Sequence, residues 1–292
     1  MVQLLFAIAF KDKEDVMKFI EANGARIPAL GLGTWTLTGA QCMDLVRRAI
    51  DIGYTHIDTA AMYDNEREVG RAIGLSGAGR ADLFVTTKVW WTDLALEDLL
   101  RSARHSLERL NLDYVDLLLI HWPNPAIPLP HSIDALNEAR RSGLTRHIGV
   151  SNFPTGLLGQ AAAFSAAPLV ADQVEYHPYL SQEKVLHACR SHGMAMISYC
   201  PLARGGSLFG EPAIVEAARA HARSPAQIVL RWHVQQEAVG VIPRTARAER
   251  LAENAAIFDF ALSDDEMAAI GALTRANRRI CDYGFSPRWD AP

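Results

Sequence analysis

No run of apolar residues in this 292-residue chain approaches the roughly 20 that a membrane span needs. The longest candidate, Val2–Phe10, is cut off at once by Lys11-Asp12-Lys13-Glu14-Asp15. It has neither a leading positive residue nor a small-residue cleavage site, so it reads as no signal peptide. Residues 1–16 are therefore read as an extension of unknown role, and 17–292 as one domain. There is no basic excess either: 29 Lys and Arg against 33 Asp and Glu give a net charge of -4. That speaks against a general nucleic-acid binder. Cysteine is sparse. Cys42, Cys189, Cys200 and Cys281 fit no C-x-x-C pair and no zinc-ligand spacing, which excludes a disulfide framework and leaves no metal site to expect. They read as free thiols of a cytoplasmic protein. Finally, no glycine-rich phosphate loop directly follows a strand. The segment Gly74-Leu75-Ser76-Gly77-Ala78-Gly79 sits after a helix and before a strand, the wrong place for a dinucleotide fingerprint, so it reads as a turn.

What is present is alternation. Two short runs, Lys18–Glu21 and Ala25–Pro28, flank Asn23-Gly24, a dipeptide that favours a tight hairpin. Such a hairpin could plug one end of a larger sheet. A glycine-punctuated strand follows at Leu30–Trp35, with a helix over 40–53. Strands near 54–59, 83–89, 115–121, 147–152, 171–176, 195–200 and 239–242 then alternate with helices near 65–74, 95–110, 132–142, 154–164, 181–192, 211–222 with 224–236, and 246–256. A last helix falls near 263–273. Leu96, Leu99, Leu100, Ala103 and Leu107 line one face of the helix over 95–110. Strands alternating with helices imply a parallel sheet. Eight β-then-α units in roughly 250 residues predict a closed (β/α)8 barrel, an α/β fold with an N-terminal β-hairpin plug. A doubly wound open sheet is the competing architecture.

Barrel chemistry sits at the C-terminal ends of the strands, and polar residues gather there. Asp58 and Tyr63 follow the second strand, Lys88 ends the third and His121 the fourth. Ser151 and Asn152 end the fifth, Gln173 and Glu175 lie on the sixth, Tyr199 ends the seventh, and Arg244-Thr245 follow the eighth. A tyrosine is a weak acid near pH 7. A lysine ammonium beside it would lower its pKa, and Asp58 would keep that lysine charged. His121 could orient a substrate oxygen, and the phenol could protonate an oxyanion as it forms. Taken singly, each residue has a plainer reading. Asp58 and Lys88 could be a structural ion pair, Tyr63 a loop residue and His121 a core residue. A different barrel chemistry, with Lys88 as a Schiff-base lysine, also stays open.

Asp58-Thr-Ala-Ala-Met-Tyr63-Asp-Asn-Glu66, Val85-Thr-Thr-Lys88-Val-Trp90, Asp113-Tyr-Val-Asp-Leu-Leu-Leu-Ile-His121-Trp-Pro123, Gly149-Val-Ser-Asn-Phe153 and Gln173-Val-Glu-Tyr-His-Pro178 resemble the signature segments of the aldo-keto reductase family. The resemblance runs from about Phe19 to Trp289. The ending Phe285-Ser-Pro-Arg-Trp-Asp290 looks most like the bacterial 2,5-diketo-D-gluconate and methylglyoxal reductases. It implies NADPH-dependent reduction of aldehydes or ketones, small dicarbonyls and diketo sugar acids among them. Tyr63 would be the general acid, with Asp58 and Lys88 tuning it and His121 orienting the carbonyl. Family members that reduce steroid carbon–carbon double bonds carry glutamate at the histidine position. Ser151, Asn152 and Gln173 would hold the nicotinamide amide and Tyr199 would stack on its ring. Pro201, Leu202 and Arg204 would cover the pyrophosphate. Arg244, Thr245 and Arg250 would hold the 2′-phosphate, with Glu253 and Asn254 near the adenine. At Arg244 and Thr245 the family often has lysine and serine. Trp35, Trp90 and Trp122, with Trp91 a further candidate, would line the substrate pocket. The short tail after Ala276 would cross the mouth and leave it shallow and open. The expected partner is a small carbonyl compound, with no membrane or nucleic acid, and the chain is expected to be monomeric. Within the same resemblance, an NADPH-sensing subunit with little turnover is the rival reading.

Overall fold

A computed structural model describes residues 18–291; the expected extension over 1–16 lies outside the described residues. The first two strands, β1 (Phe19–Ala22) and β2 (Ala25–Pro28), form an antiparallel hairpin. Asn23 and Gly24 both take positive φ, 46° and 85°, which matches the twist of the flanking strands. The eight parallel strands are β3 (Leu32–Gly33), β4 (His56–Asp58), β5 (Phe84–Val89), β6 (Val115–Ile120), β7 (Thr145–Ser151), β8 (Leu169–Glu175), β9 (Ala195–Tyr199) and β10 (Val239–Val241). They pair in chain order from β3 to β10. Closure comes from the bridge Leu30–Val241, supported by Gly31 N–H to Val241 O at 2.8 Å and Gly33 N–H to Pro243 O at 3.1 Å. This is the expected barrel, and the hairpin is the expected plug. A side chain on Gly240 of β10 would meet Ile20 Cδ1 of the hairpin at 3.2 Å.

Helices α1 (Gly39–Asp51), α2 (Glu66–Leu75), α3 (Leu96–Leu110), α4 (Leu129–Arg141), α5 (Thr155–Phe164), α6 (Glu183–Ser191), α7 (Pro212–His221), α8 (Pro225–Gln235) and α9 (Glu249–Ala255) lie between and after the barrel strands, and α10 (Asp264–Gly271) precedes the tail. Strands β5 and β6 are buried along their whole length, as strands between a barrel core and a helical layer must be. Helix α3 buries Leu99, Leu100, Ala103 and Leu107 as its periodicity predicts, but Leu96 is exposed. It is the first residue of the helix, where the chain has not yet turned onto the barrel. Short 3-10 turns at Ala61–Tyr63 and Gly206–Gly210 are not visible in the periodicity. Among the described residues no helix is long and apolar enough to cross a membrane, and no cluster of His, Cys, Asp or Glu is arranged to hold a metal.

Glycines permit two close approaches. A Cβ on Gly33 would stand 2.7 Å from Ile242 O at the barrel seam. A Cβ on Gly70 of α2 would stand 2.1 Å from Leu110 O at the end of α3. Alanine at position 70 would gain about 1 kcal/mol of helix propensity. The contact is with backbone, however, and overpacking of that kind costs about 1–3 kcal/mol or more. Gly70→Ala is therefore expected to lower unfolding free energy by about 1–2 kcal/mol in urea titrations, with no change of fold by circular dichroism; an unchanged or higher midpoint would show that α2 and α3 separate freely.

Candidate active site

The loop after β4 is pinned on both sides of Tyr63. Asn65 is fully buried and donates to Thr34 O at 2.8 Å and Leu37 O at 2.9 Å, while Thr59 Oγ1 donates to its carbonyl at 2.7 Å. The next residue, Glu66, accepts Thr87 Oγ1 at 2.5 Å and Arg109 at 2.6–2.7 Å. Between Thr59 and Asn65 the chain makes the 3-10 turn Ala61–Tyr63 and presents the phenol inward.

Lys88 Nζ, fully buried, donates to Asp58 Oδ1 at 2.5 Å, to Thr59 O at 2.9 Å and to Tyr63 Oη at 3.3 Å. An ammonium has three N–H groups, and all three are used. Tyr63 Oη therefore accepts from lysine, and its own hydrogen is left to donate outward. Gln173 Nε2 donates to the second carboxylate oxygen of Asp58 at 2.7 Å. The His121 ring meets Tyr63 edge-on with centroids 5.5 Å apart, and Trp90 at 5.2 Å. The structure thus brings Asp58, Tyr63, Lys88 and His121 together at the C-terminal end of β4, β5 and β6.

The electrostatics differ from the expectation in one respect. Burial pushes the Tyr63 phenol well above its ordinary value, and the Asp58 carboxylate adds to the rise. Burial outweighs the Lys88 ammonium, which donates to the phenol at 3.3 Å and whose charge Asp58 offsets at 2.5 Å. Burial also lowers the Lys88 pKa, opposed by Asp58. Burial, then the positive charge of Lys88, hold His121 well below the ordinary histidine value, so the imidazole is neutral. Its Nδ1 is buried without a hydrogen-bond partner among the described residues.

The groups expected around a nicotinamide form one chain of hydrogen bonds. Ser151 Oγ donates to Gln173 O at 2.6 Å; Asn152 Nδ2 donates to Ser151 Oγ and to His121 O, both at 3.0 Å. Tyr199 Oη donates to Asn152 Oδ1 at 2.7 Å. Asn152 itself has φ 64°. Beyond Tyr199, the loop with Pro201, Leu202 and Arg204 turns through positive φ at Cys200, Ala203, Arg204, Gly205 and Gly206. Arg244 and Arg250 are exposed, and no hydrogen bond or ion pair engages their side chains among the described residues. Two free guanidinium groups just past β10 are a donor set suited to a phosphomonoester, so the residues present fit NADPH. Thr245 is buried, with its hydroxyl in a turn with Arg247. Glu253 accepts from Ser224, the N-cap of α8, and Asn254 is buried beside it.

The indoles divide. Trp90, Trp91 and Trp122 share one neighbour, Phe285, at centroid distances of 5.6, 5.4 and 5.4 Å. Trp35 is 39% exposed and takes no part in these ring contacts. The tail does cross the mouth, but the open pocket expected of it is not what the structure has. Phe285, Tyr283 and Trp289 pack over Trp122, which is only 4% exposed. The anchor of this tail is Glu175 at the end of β8. Its carboxylate accepts Ile280 N–H at 2.7 Å, Cys281 N–H at 2.6 Å and, at 2.9 Å, His177 Nε2. Sequence reasoning placed Glu175 on its strand without giving it a task. Its one signal was a carboxylate at the end of a strand buried along its whole length.

A family model for the aldo/keto reductase family matches residues 29–275. Methylglyoxal reductase DkgB of Salmonella typhimurium is 41% identical over 267 residues, covering 90% of this chain and 99% of its own. A solved structure of a candidate 2,5-diketo-D-gluconic acid reductase B has 46% identity and a TM-score of 0.92, covering 95% of this chain and 99% of its own. The Bombyx mori aldo-keto reductase in complex with NADP has 33% identity and a TM-score of 0.84, covering 91% and 95%.

The buried pair generates a stability prediction. Lys88→Met leaves the Asp58 carboxylate with only an amide partner, and breaking a buried ion pair costs about 3–5 kcal/mol. The double variant Asp58→Asn/Lys88→Met removes the stranded charge and is expected to regain much of that loss in urea unfolding. A double variant no more stable than Lys88→Met would mean that the pair is not the source of the effect.

Proposed function

The chain belongs to the aldo/keto reductase family, and from that premise we propose that it reduces small aldehydes and ketones, dicarbonyls and diketo sugar acids among them, with Tyr63 as the proton donor. It is an NADP-dependent oxidoreductase, and when bound NADPH supplies the hydride to the carbonyl carbon. The observation that carries the assignment of roles is the Lys88 ammonium bridging Asp58 and the Tyr63 hydroxyl beside His121.

The work of this chain's own residues follows from the geometry. Because Tyr63 Oη accepts from Lys88, its hydrogen points to the mouth and can be given to the substrate oxygen as negative charge develops there. An alkoxide is a stronger base than a phenolate, so the transfer remains downhill even from a phenol with a raised pKa. Lys88 stabilises the phenolate that results, and Asp58 holds the lysine. Neutral His121 donates a hydrogen bond that sets the direction of the carbonyl. Trp90 and Trp122, under Phe285, wall the reacting oxygen off from water, and Trp35 stands at the exposed rim. Ser151, Asn152 and Gln173 orient the nicotinamide amide, Tyr199 covers one ring face, and the loop carrying Pro201, Leu202 and Arg204 lies over the pyrophosphate. Arg244 and Arg250 pair with the 2′-phosphate, with Thr245, Glu253 and Asn254 around the adenosine. The acidic net charge and the self-contained barrel favour a cytoplasmic monomer without nucleic-acid partners.

Loss of NADPH absorbance with methylglyoxal and a panel of small dicarbonyls tests this reading. Tyr63→Phe is expected to lower kcat by about 10²–10⁴-fold, the usual contribution of a positioned general acid. A chain that binds NADPH tightly yet turns over none of the panel would be a nucleotide sensor instead.

The pKa directions fix the pH profile. Reduction needs a protonated Tyr63, which persists above pH 10, and a neutral His121, which persists well below pH 6.5. The rate constant for reduction, kcat/KM, is therefore expected to show no histidine inflection near pH 6.5 and no loss from Tyr63 ionisation near pH 10, so that any alkaline fall below pH 10 belongs to Lys88, whose pKa burial lowers; an acid inflection near pH 6.5 would overturn the neutral state of His121.

For coenzyme choice, Arg244→Ala and Arg250→Ala should each raise the KM for NADPH by about tenfold or more, since a charge-assisted hydrogen bond contributes about 1.5–3 kcal/mol. The KM for NADH should stay unchanged. Equal losses for both coenzymes would remove these arginines from the 2′-phosphate.

A further inference from the structure

The seated tail brings two of the four cysteines to the same end of β9. Cys200 follows Tyr199 at the end of β9, half-buried, with φ 53°. Glu175 lies opposite Tyr199 in the β8–β9 register, and its carboxylate holds the backbone N–H of Cys281. That anchor places Cys281 at the end of β9 beside Cys200, where each thiol shifts the pKa of the other. Cys200 raises the pKa of Arg204, and Cys281 adds to the burial that raises that of Tyr283. Cys42 and Cys189, by contrast, are buried in α1 and α6 on separate elements.

We propose that Cys200 and Cys281 form a redox-modification site, a reversible intrachain disulfide that fastens the C-terminal tail to the loop over 200–206. The oxidant class is a hydroperoxide. The Cys200 sulfur attacks the peroxide oxygen, the O–O bond breaks, and the leaving hydroxide takes the Cys200 proton to become water. The product is a sulfenic acid on Cys200. The Cys281 sulfur then attacks that sulfenic sulfur, the S–O bond breaks, and the second hydroxide leaves as water with the Cys281 proton. Two electrons pass from the thiol pair to the peroxide.

The roles are not interchangeable. The Cys281 thiol and the Arg204 charge favour a Cys200 thiolate and bring its pKa below the ordinary value. Cys200, together with burial, raises that of Cys281, which suits it to resolve rather than to attack. The crosslink would restrain a loop that, on the reading given above, has to move for NADPH to leave. That consequence rests on the coenzyme assignment; the crosslink itself does not.

The test uses the full chain. NADPH binding to the reduced protein is read first by fluorescence, so that a failed coenzyme assignment is told apart from a failed crosslink. Hydrogen peroxide is then titrated in, with thiol counting, intact mass and peptide mapping. The expected result is loss of two of the four titratable thiols, a mass lower by two hydrogens, and one crosslinked peptide joining Cys200 to Cys281, all reversed by dithiothreitol. The oxidised chain should release NADPH more slowly than the reduced one. In Cys281→Ser or Cys281→Ala the crosslink should be missing and a dimedone-trapped sulfenic acid should accumulate on Cys200. Four thiols still titratable, or over-oxidation without the crosslinked peptide, would each overturn the proposal, and NADPH release at an unchanged rate after crosslinking would overturn the restraint on the loop.

Discussion

A buried ammonium has to be neutralised where it lies, and Lys88 imposes that requirement on β4, on β8 and on the turn between β4 and α2. Its three N–H groups go to Asp58, Thr59 O and Tyr63 Oη, and the free oxygen of Asp58 is satisfied by Gln173 across the barrel. The same bonds that compensate the charge also set the hydrogen-bond direction of the phenol. A tyrosine that accepts from lysine has nowhere to send its own proton except toward the mouth. Neutralisation by Asp58 also explains why burial wins over the ammonium in setting the Tyr63 pKa. The result is a phenol that stays protonated and is positioned to give its proton up only to a strong base.

Around that pair, polar groups satisfy one another in a row across three strands. Ser151, Asn152, Gln173 and Tyr199 link β7, β8 and β9, and each is buried or half-buried with a named partner. Buried polar groups of this kind are tolerated only when paired. Their side chains are thus held in place by one another, which, on the proposed assignment, lowers the ordering cost of binding a coenzyme.

The tail is a different sort of component. After Asn277 it has no regular secondary structure, and its order comes from side chains. Glu175 takes two of its backbone N–H groups, Thr155 pairs with Asp290, Arg279 lies 3.7 Å above the Trp289 ring, and Phe285 rests on three indoles. A segment held by contacts rather than by a hydrogen-bonded ladder can detach without unfolding the barrel. That makes it the natural place for control over access to Tyr63, and it is also where Cys281 sits.

Alternating apolar strands and amphipathic helices are local properties of the chain, so eight β/α units, the Asn23-Gly24 hairpin and the faces of helices such as α3 were legible in the residues alone. Strand ends are legible too, and once the strands are parallel neighbours, Asp58, Lys88 and His121 must share one end of the barrel. The 3-10 turn that aims Tyr63 was not legible, because it depends on Asn65 reaching Thr34 and Leu37, far back in the chain. Nor was the direction of the Tyr63 pKa, which is a balance between burial and a neutralised ion pair. The covered mouth was missed because aromatic contacts between the tail and Trp90, Trp91 and Trp122 join residues that sequence spacing cannot relate. The sequence by itself determined the barrel and the set of reactive groups, since periodicity and strand order are written along the chain. Only the tertiary structure decided which groups are charged, which way the phenol points and what closes over it, since burial and long-range contact exist only after folding.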